Sequence, residues 1–354
     1  MSTFIQLHLL TSYPPSNLNR DDLGRPKTAI MGGKTRLRVS SQSLKRAWRT
    51  SDLFETALAG HIGERTKRMG IKLYKRLCEN GVADSKAKEF AKEMVAFFGT
   101  TEGAEKDKPL KELESSQLVH FNQSEIEALL ALADRVAVDG KLDKDELKKL
   151  VAKRHDVDIS MFGRMLTGKE IVKVTDDPEA AVQVSHAVTV HEVAVEDDYF
   201  TAVDDLNTGE DDLGAAHIGE TEFGAGVFYL YLCIDRNLLV ENMGGDKDLA
   251  NKALKALIES AAKVSPTGKH NSFASRARTS YLLAEKGSDQ PRSLSVAFLK
   301  PVRGEDVLAQ SITELERRRE NFGKVYGPCA DGFKTMNAET GEGSLDDILT
   351  FVTE

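Results

Sequence analysis

From about Ser51 to Asp158 the chain is rich in Ala, Lys, Glu and Leu with helical periodicity, broken near Gly99–Pro109, and strand-like text lies on either side of it. A chain patterned this way inserts a mostly helical subdomain into a sheet-containing body. Ser2–Thr11 alternates Phe4, Ile5, Leu7, Leu9 and Leu10 with Gln6 and His8, the pattern of a half-buried strand. Tyr13–Lys27, with three prolines, two asparagines and Gly24, reads as a loop. Further strands are expected at Ala181–Val195, Ala225–Ile234, Arg276–Glu285 and Arg292–Leu299, and helices at Asp248–Lys263 and Glu305–Phe322. Strands and helices mix without regular βα alternation, so the expected class is α+β. The run DDYFTAVDDLNTGEDDLGAAHIGETEFG, Asp197–Gly224, is too polar and glycine-rich for a core and predicts a long protruding hairpin.

A length of 354 residues allows one full core or two domains. No apolar run approaches the roughly 20 residues that span a bilayer, and the N-terminal text lacks the basic n-region of a signal peptide. Cys78, Cys233 and Cys329 stand apart with no CxxC pair, which argues against a disulfide framework or a cysteine zinc site and for a reducing, cytoplasmic setting.

Charge is distributed unevenly. The chain is acidic, 48 Lys+Arg against 56 Asp+Glu, yet Arg25–Arg49 holds Arg25, Lys27, Lys34, Arg36, Arg38, Lys45, Arg46 and Arg49 and no acidic residue. A concentrated basic stretch in an acidic protein suggests a specific anion track, with nucleic acid as the first hypothesis. Ser40 or Ser41 can cap a following helix. On that helix Leu44, Ala47 and Trp48 share one face and Gln42, Lys45 and Arg49 another, so one face docks and the other meets a ligand. The amides at the helix start and the side chains one turn on can hold successive phosphates. Tyr199-Phe200 adds two aromatics of the kind that stack on unpaired bases, although packing against the protein accounts for at least one of them.

Three motifs of other chemistry fail. Gly33-Lys34-Thr35 imitates the end of a phosphate-binding P-loop, but Thr28 stands where its first glycine belongs. Asp139-Gly140…Glu146 has calcium-loop spacing, but Arg135 and Ala137 occupy ligand positions. His186 and His191, five apart in strand-like text, point to opposite faces and cannot share a metal by local geometry.

The residues also carry a resemblance. Ser16–Arg49 (SNLNRDDLGRPKTAIMGGKTRLRVSSQSLKRAWR), Asp156–Leu166 (DVDISMFGRML), Val182–Val193 (VQVSHAVTVHEV), Asp197–Leu206 (DDYFTAVDDL) and Ala215–Tyr231 (AAHIGETEFGAGVFYLY) fall in the order of a known family. The chain resembles the CasC family of backbone subunits of the type I-E CRISPR Cascade complex, within the Cas-seven superfamily. Ala57–Arg154 and Glu305–Glu354 match more loosely.

That resemblance implies a modified RRM-like (ferredoxin-like) palm with an inserted helical fingers subdomain and a β-hairpin thumb. Palm segments would be 1–55, 158–193 and 225–354, fingers 56–157 and thumb 194–224. It implies a non-catalytic, cofactor-free protein that polymerises with copies of itself into a helical, hexameric backbone along CRISPR RNA, kinks the strand and presents bases to target DNA. Other Cascade subunits would be further partners. Carried over by residue, RNA contacts would be Asn19, Arg20, Lys27, Ser40, Gln42, Lys45 and Arg49, with Met165, Tyr199, Phe200, Thr201 and Ile218 around the displaced base. Tyr199 stands where the family can have tryptophan, and the hairpin tip NTGEDDLG is longer and more acidic than in the best-known relatives. Lys141, Lys144, Lys148, Lys149, Lys153, Lys300 and Arg303 are candidate DNA contacts, with a solvated face as the alternative for each. An RRM-like endoribonuclease that cuts CRISPR precursor RNA is the competing reading, with His8, His186 and His191 as the histidines to test.

Overall fold

The structure, a computed structural model, describes residues 2–150, 155–168, 171, 178–202 and 217–354. In chain order it runs β1 (Phe4–Ser16), β2 (Thr28–Met31), β3 (Lys34–Val39), α1 (Ser41–Arg49) and α2 (Asp52–Ala57). Next come β4 (Glu64–Thr66), α3 (Met69–Glu79), α4 (Asp84–Ala96), β5 (Val119–Phe121), α5 (Gln123–Asp139), α6 (Lys144–Lys149) and α7 (Val157–Phe162). Then follow β6 (Val182–Val184), β7 (Ala187–Thr189), β8 (Glu196–Ala202), β9 (His217–Asp235), α8 (Arg236–Asn242), α9 (Lys247–Lys263) and α10 (His270–Phe273). The chain ends with β10 (Thr279–Gly287), α11 (Val307–Tyr326), β11 (Gly332–Asn337) and α12 (Leu345–Thr353). The class is α+β, as expected. Two compact units divide the chain: Met1–Phe54 with Gln183–Asp235 and Leu254–Glu354, and Glu55–Val182 with Arg236–Ala253.

The first unit is built on an antiparallel sheet in the order β11-β10-β1-β9-β7-β3-β2. Central β1 pairs with both β10 and β9 and continues to Ser16, past the expected start of the loop. It is not half-buried. Ile5, Leu7 and Leu9 are sealed, and so are Gln6 and His8 between them.

The polar face is covered because Gln6 and His8 find partners remote in sequence. Tyr231 Oη donates to Gln6 Oε1 (2.9 Å), as does the Arg292 amide (2.8 Å). The Glu285 carboxylate can only accept, so His8 Nε2–H donates to it (3.2 Å) and Nδ1 of the neutral ring accepts from Tyr229 Oη (2.8 Å), which itself accepts from the Leu294 amide (3.1 Å). Arg292 forks onto the same carboxylate. The segment expected as a strand at Arg292–Leu299 is this cover, with a 3-10 turn at Ser295–Phe298. Its buried residues Leu294, Ala297 and Phe298 follow i, i+3, i+4, so the turn lays them on one side, packed with Leu10, Tyr229 and Leu283.

This network sets an acid limit on stability. Burial pushes His8 below 6.5 despite the pull of Glu285. Burial also opposes ionisation of Glu285, but the hydrogen bonds and charges of His8 and Arg292 outweigh it and hold the carboxyl at about 2. Both groups bind fewer protons folded than unfolded, so stability rises with pH. Stability should fall first as pH drops through about 6.5, from His8, and again between about 4.5 and 2, from Glu285, the second step worth about 3 kcal/mol. Urea titrations at about pH 7.5, 5.5 and 3.5 check this. His8→Gln should flatten the upper step, and an unchanged slope in that variant would contradict the assignment.

In the second unit, α3, α4 and α5 bury Leu73, Leu77, Ala91, Met94, Phe98, Leu129 and Leu132 around Phe121. The periodicity of Ser51–Asp158 therefore corresponds to real helices. A polar cluster lies beside this core. Arg164 and Glu125 are both fully buried and joined by a two-pronged ion pair (2.6 and 2.9 Å), and Arg164 also donates to the His120 carbonyl (3.3 Å). Glu125 further accepts from the Asn122 amide (2.9 Å) at the start of α5. Asp158 receives the Gly63 amide (2.9 Å) and lies 2.8 Å from His120 Nε2.

Candidate nucleic-acid interface

The basic stretch is assembled by a Gly-Gly turn that the failed P-loop comparison conceals. Gly32 (φ 60°) and Gly33 (φ 73°) both occupy the left-handed region and close a two-residue hairpin in which Met31 faces Lys34. Gly33-Lys34-Thr35 therefore leads into β3 and not into a phosphate-binding helix. A Cβ at Gly32 would lie 1.8 Å from the Leu299 carbonyl oxygen, so the hairpin seats directly on that backbone.

The eight basic residues do different work. Arg36 is completely buried and donates to the carbonyls of Thr189 (2.9 Å) and Phe298 (3.0 Å), which makes it a structural clamp. Lys34 pairs with Glu192 (3.1 Å) and Arg25 with Glu222 (3.0 Å). The others surround α1. The Lys27 amide donates to the Asn19 carbonyl, the Arg38 amide to the Lys27 carbonyl (both 2.8 Å), and the Ser40 amide to Asn19 Oδ1 (2.9 Å). This ladder fixes Asn19, Lys27, Arg38 and Ser40 side by side at the head of the helix. Arg20 lines an adjoining cleft of about 600 Å³ with Asn19, Ser43 and Arg46 and the carboxylates Asp21 and Asp22.

Helix α1 docks as its sequence implies. Leu44, Ala47 and Trp48 are buried, Gln42 is exposed, and Lys45 and Arg49 are half-exposed. Its start, however, offers fewer amides than expected. Ser40 Oγ accepts from the Ser43 amide (3.3 Å), and His186 Nδ1 accepts from the Ser41 amide (2.9 Å). An anion at this helix start would meet side chains more than free amides. Ser40 is buried and keeps its hydroxyl hydrogen to donate.

The expected hairpin is a ribbon growing out of the sheet. Residues 224–235 of β9 pair with β1, and residues 217–223 of the same strand pair with β8, from Ala202↔His217 to Glu196↔Phe223. Its root is tied by Asn17 Nδ2 to the Glu222 carbonyl (2.9 Å) and by Lys269 to Thr221. Every residue of β8 is exposed. Tyr199 is 66% exposed opposite Glu220, whereas Phe200 lies across Gly219, where a Cβ would stand 2.3 Å from its ring. Neither aromatic enters the core. Thr201 and Ile218 face each other in the register, and the tip NTGEDDLG lies outside the described residues.

In the second unit, the Arg164 anchor leaves the next residue, Met165, 68% exposed. Gly168 closes that loop tightly: a Cβ there would be 2.0 Å from the Phe97 carbonyl oxygen. Among the lysine candidates, Lys144 pairs with Glu93 (2.8 Å) and Lys148 with Asp145 (2.7 Å), while Lys141 and Lys149 are exposed. Lys153 lies outside the described residues, and Lys300 and Arg303 are exposed on the first unit.

Of the histidines proposed for catalysis, two are turned away from α1 and the third stands at its head. His8 is sealed, His191 Nε2 accepts from the Val227 amide (3.2 Å), and His186 caps α1. Sequence reading missed Arg38, Arg46 and His186 as neighbours of the interface. The two arginines were visible as charges, but only pairing and helix rotation assign them to this face.

The fold is α+β, and its first unit carries a basic helix face. The chain belongs to the CT1975-like protein family, which matches residues 5–348. It is similar over 99% of its length to a chain of a solved CRISPR RNA-guided surveillance complex in a pre-nicking state, at 32% identity, a TM-score of 0.84 and 99% coverage of that chain. A second surveillance-complex chain matches at 27% identity and a TM-score of 0.76, with 99% of each chain covered. No curated protein sequence matches.

Proposed function

We propose that this chain is a non-catalytic, cytoplasmic backbone subunit of a type I-E CRISPR surveillance complex, binding guide RNA along α1. The carrying observation is the face on which Gln42, Lys45 and Arg49 of a docked helix stand beside the hydrogen-bonded group Asn19, Lys27 and Arg38. Phosphates of one strand can be met there in succession. In this reading the sheet is a modified RRM-like palm and the second unit the fingers. The β8–β9 ribbon is then the thumb, with Tyr199 stacking beside a displaced base and Phe200 stiffening the ribbon. Copies assemble head to tail into a helical hexamer with other Cascade subunits, and exposed lysines of the fingers meet target DNA. Nothing favours the nuclease alternative: sealed His8 cannot reach a scissile phosphate.

Incubation with end-labelled CRISPR precursor RNA separates the readings. The expected result is protection of the RNA at regular intervals with no new ends, together with particles many subunits in size on sedimentation. Site-specific cleavage would overturn the scaffold assignment.

A further inference from the structure

His186 stands in the short link between β6 and β7, at the head of α1, with its imidazole exposed. Its Nδ1 accepts the Ser41 amide at 2.9 Å. A ring nitrogen that accepts a hydrogen bond carries no proton, so the neutral ring keeps its hydrogen on Nε2. Partial burial at the helix head lowers the His186 pKa, cationic Arg38 and Lys27 lower it further, and protonation would also set Nδ1–H against the Ser41 N–H. The neutral ring thus presents Nε2–H beside groups already assigned to the RNA strand.

We infer that His186 is an additional RNA contact, donating Nε2–H to a backbone oxygen of the strand held along α1. The inference rests on the RNA-binding reading above. It gives the imidazole two tasks at once: one nitrogen orders the helix, and the other touches the ligand that the helix binds.

Asparagine separates the tasks, because its Oδ1 sits where Nδ1 of histidine sits and can accept the Ser41 amide, while nothing reaches the Nε2 position. Fluorescence anisotropy with a labelled single-stranded RNA would compare the full chain with its His186→Asn and His186→Ala forms. His186→Asn should weaken binding about five-fold, the scale of one neutral hydrogen bond, and His186→Ala more. The ratio between the unaltered chain and His186→Asn should stay constant from about pH 8.5 to about pH 7.5, a range above the ordinary imidazole pKa of about 6.5 in which the ring is neutral. Binding by His186→Asn equal to that of the unaltered chain would leave a cap only and overturn the inference. A ratio that grows on acidification would also overturn it, since His186 would then act as a cation. No binding by the unaltered chain would overturn the RNA-binding reading itself.

Discussion

Replacing Lys45 and Arg49 together by glutamate should lower affinity for single-stranded RNA by about a hundred-fold near physiological salt and flatten the dependence of log K on log salt by about 1.4. The slope follows from two lost phosphate contacts at roughly 0.7 each for a single strand. Folding should survive, because Leu44, Ala47 and Trp48 hold the helix from its other face. The acidic residue in the last turn costs at most about 1 kcal/mol against the helix dipole. Lys34→Glu is the natural control: Lys34 is paired with Glu192 at the hairpin turn, so its reversal should change affinity far less. Unchanged affinity and slope in the double variant, measured by anisotropy across a salt series, would remove α1 from the interface.

The largest stability effect should come from the second unit. Arg164→Ala leaves Glu125 buried without its cation, a change expected to cost about 3–5 kcal/mol. Replacing both members, Glu125→Leu with Arg164→Met, should recover much of that loss, since two desolvated charges are exchanged for packed apolar groups. Urea denaturation of the single and double variants measures it. A loss below about 1 kcal/mol in Arg164→Ala would mean that the pair is hydrated. The double variant also probes the link to function. If Arg164 serves to present Met165, RNA binding should weaken even where stability returns.

Much of this was open to inspection in the linear chain, and the reason is local. Helix α1 could be read residue by residue because capping by Ser40 and the spacing of Leu44, Ala47 and Trp48 are properties of neighbouring residues. Helices α9 and α11 and strand β10 were legible on the same grounds. The ribbon announced itself through polar, glycine-rich text next to strand-forming residues. Its unity with the core strand β9 did not, because only pairing partners reveal where one strand leaves the sheet.

The failures share one cause. Gln6 and His8 look like a solvent face by alternation, but Tyr229, Tyr231, Glu285 and Arg292 satisfy them from more than two hundred residues away. Arg292–Leu299 looks like a strand, yet its buried residues lie three and four apart because it must cover that face.

By itself, then, the sequence determined the α+β class, the helical insertion, the docking face of α1 and the sign of the charge it presents, since periodicity and capping act within a few residues. Tertiary structure alone decided which cations are available. It sealed Arg36 under the Phe298 carbonyl, spent Lys34 and Arg25 on Glu192 and Glu222, and brought Arg38 and His186 to the helix head. Whether a charge meets water, a buried carbonyl or a ligand depends on the surface that folding lays beside it, and no neighbour along the chain carries that information.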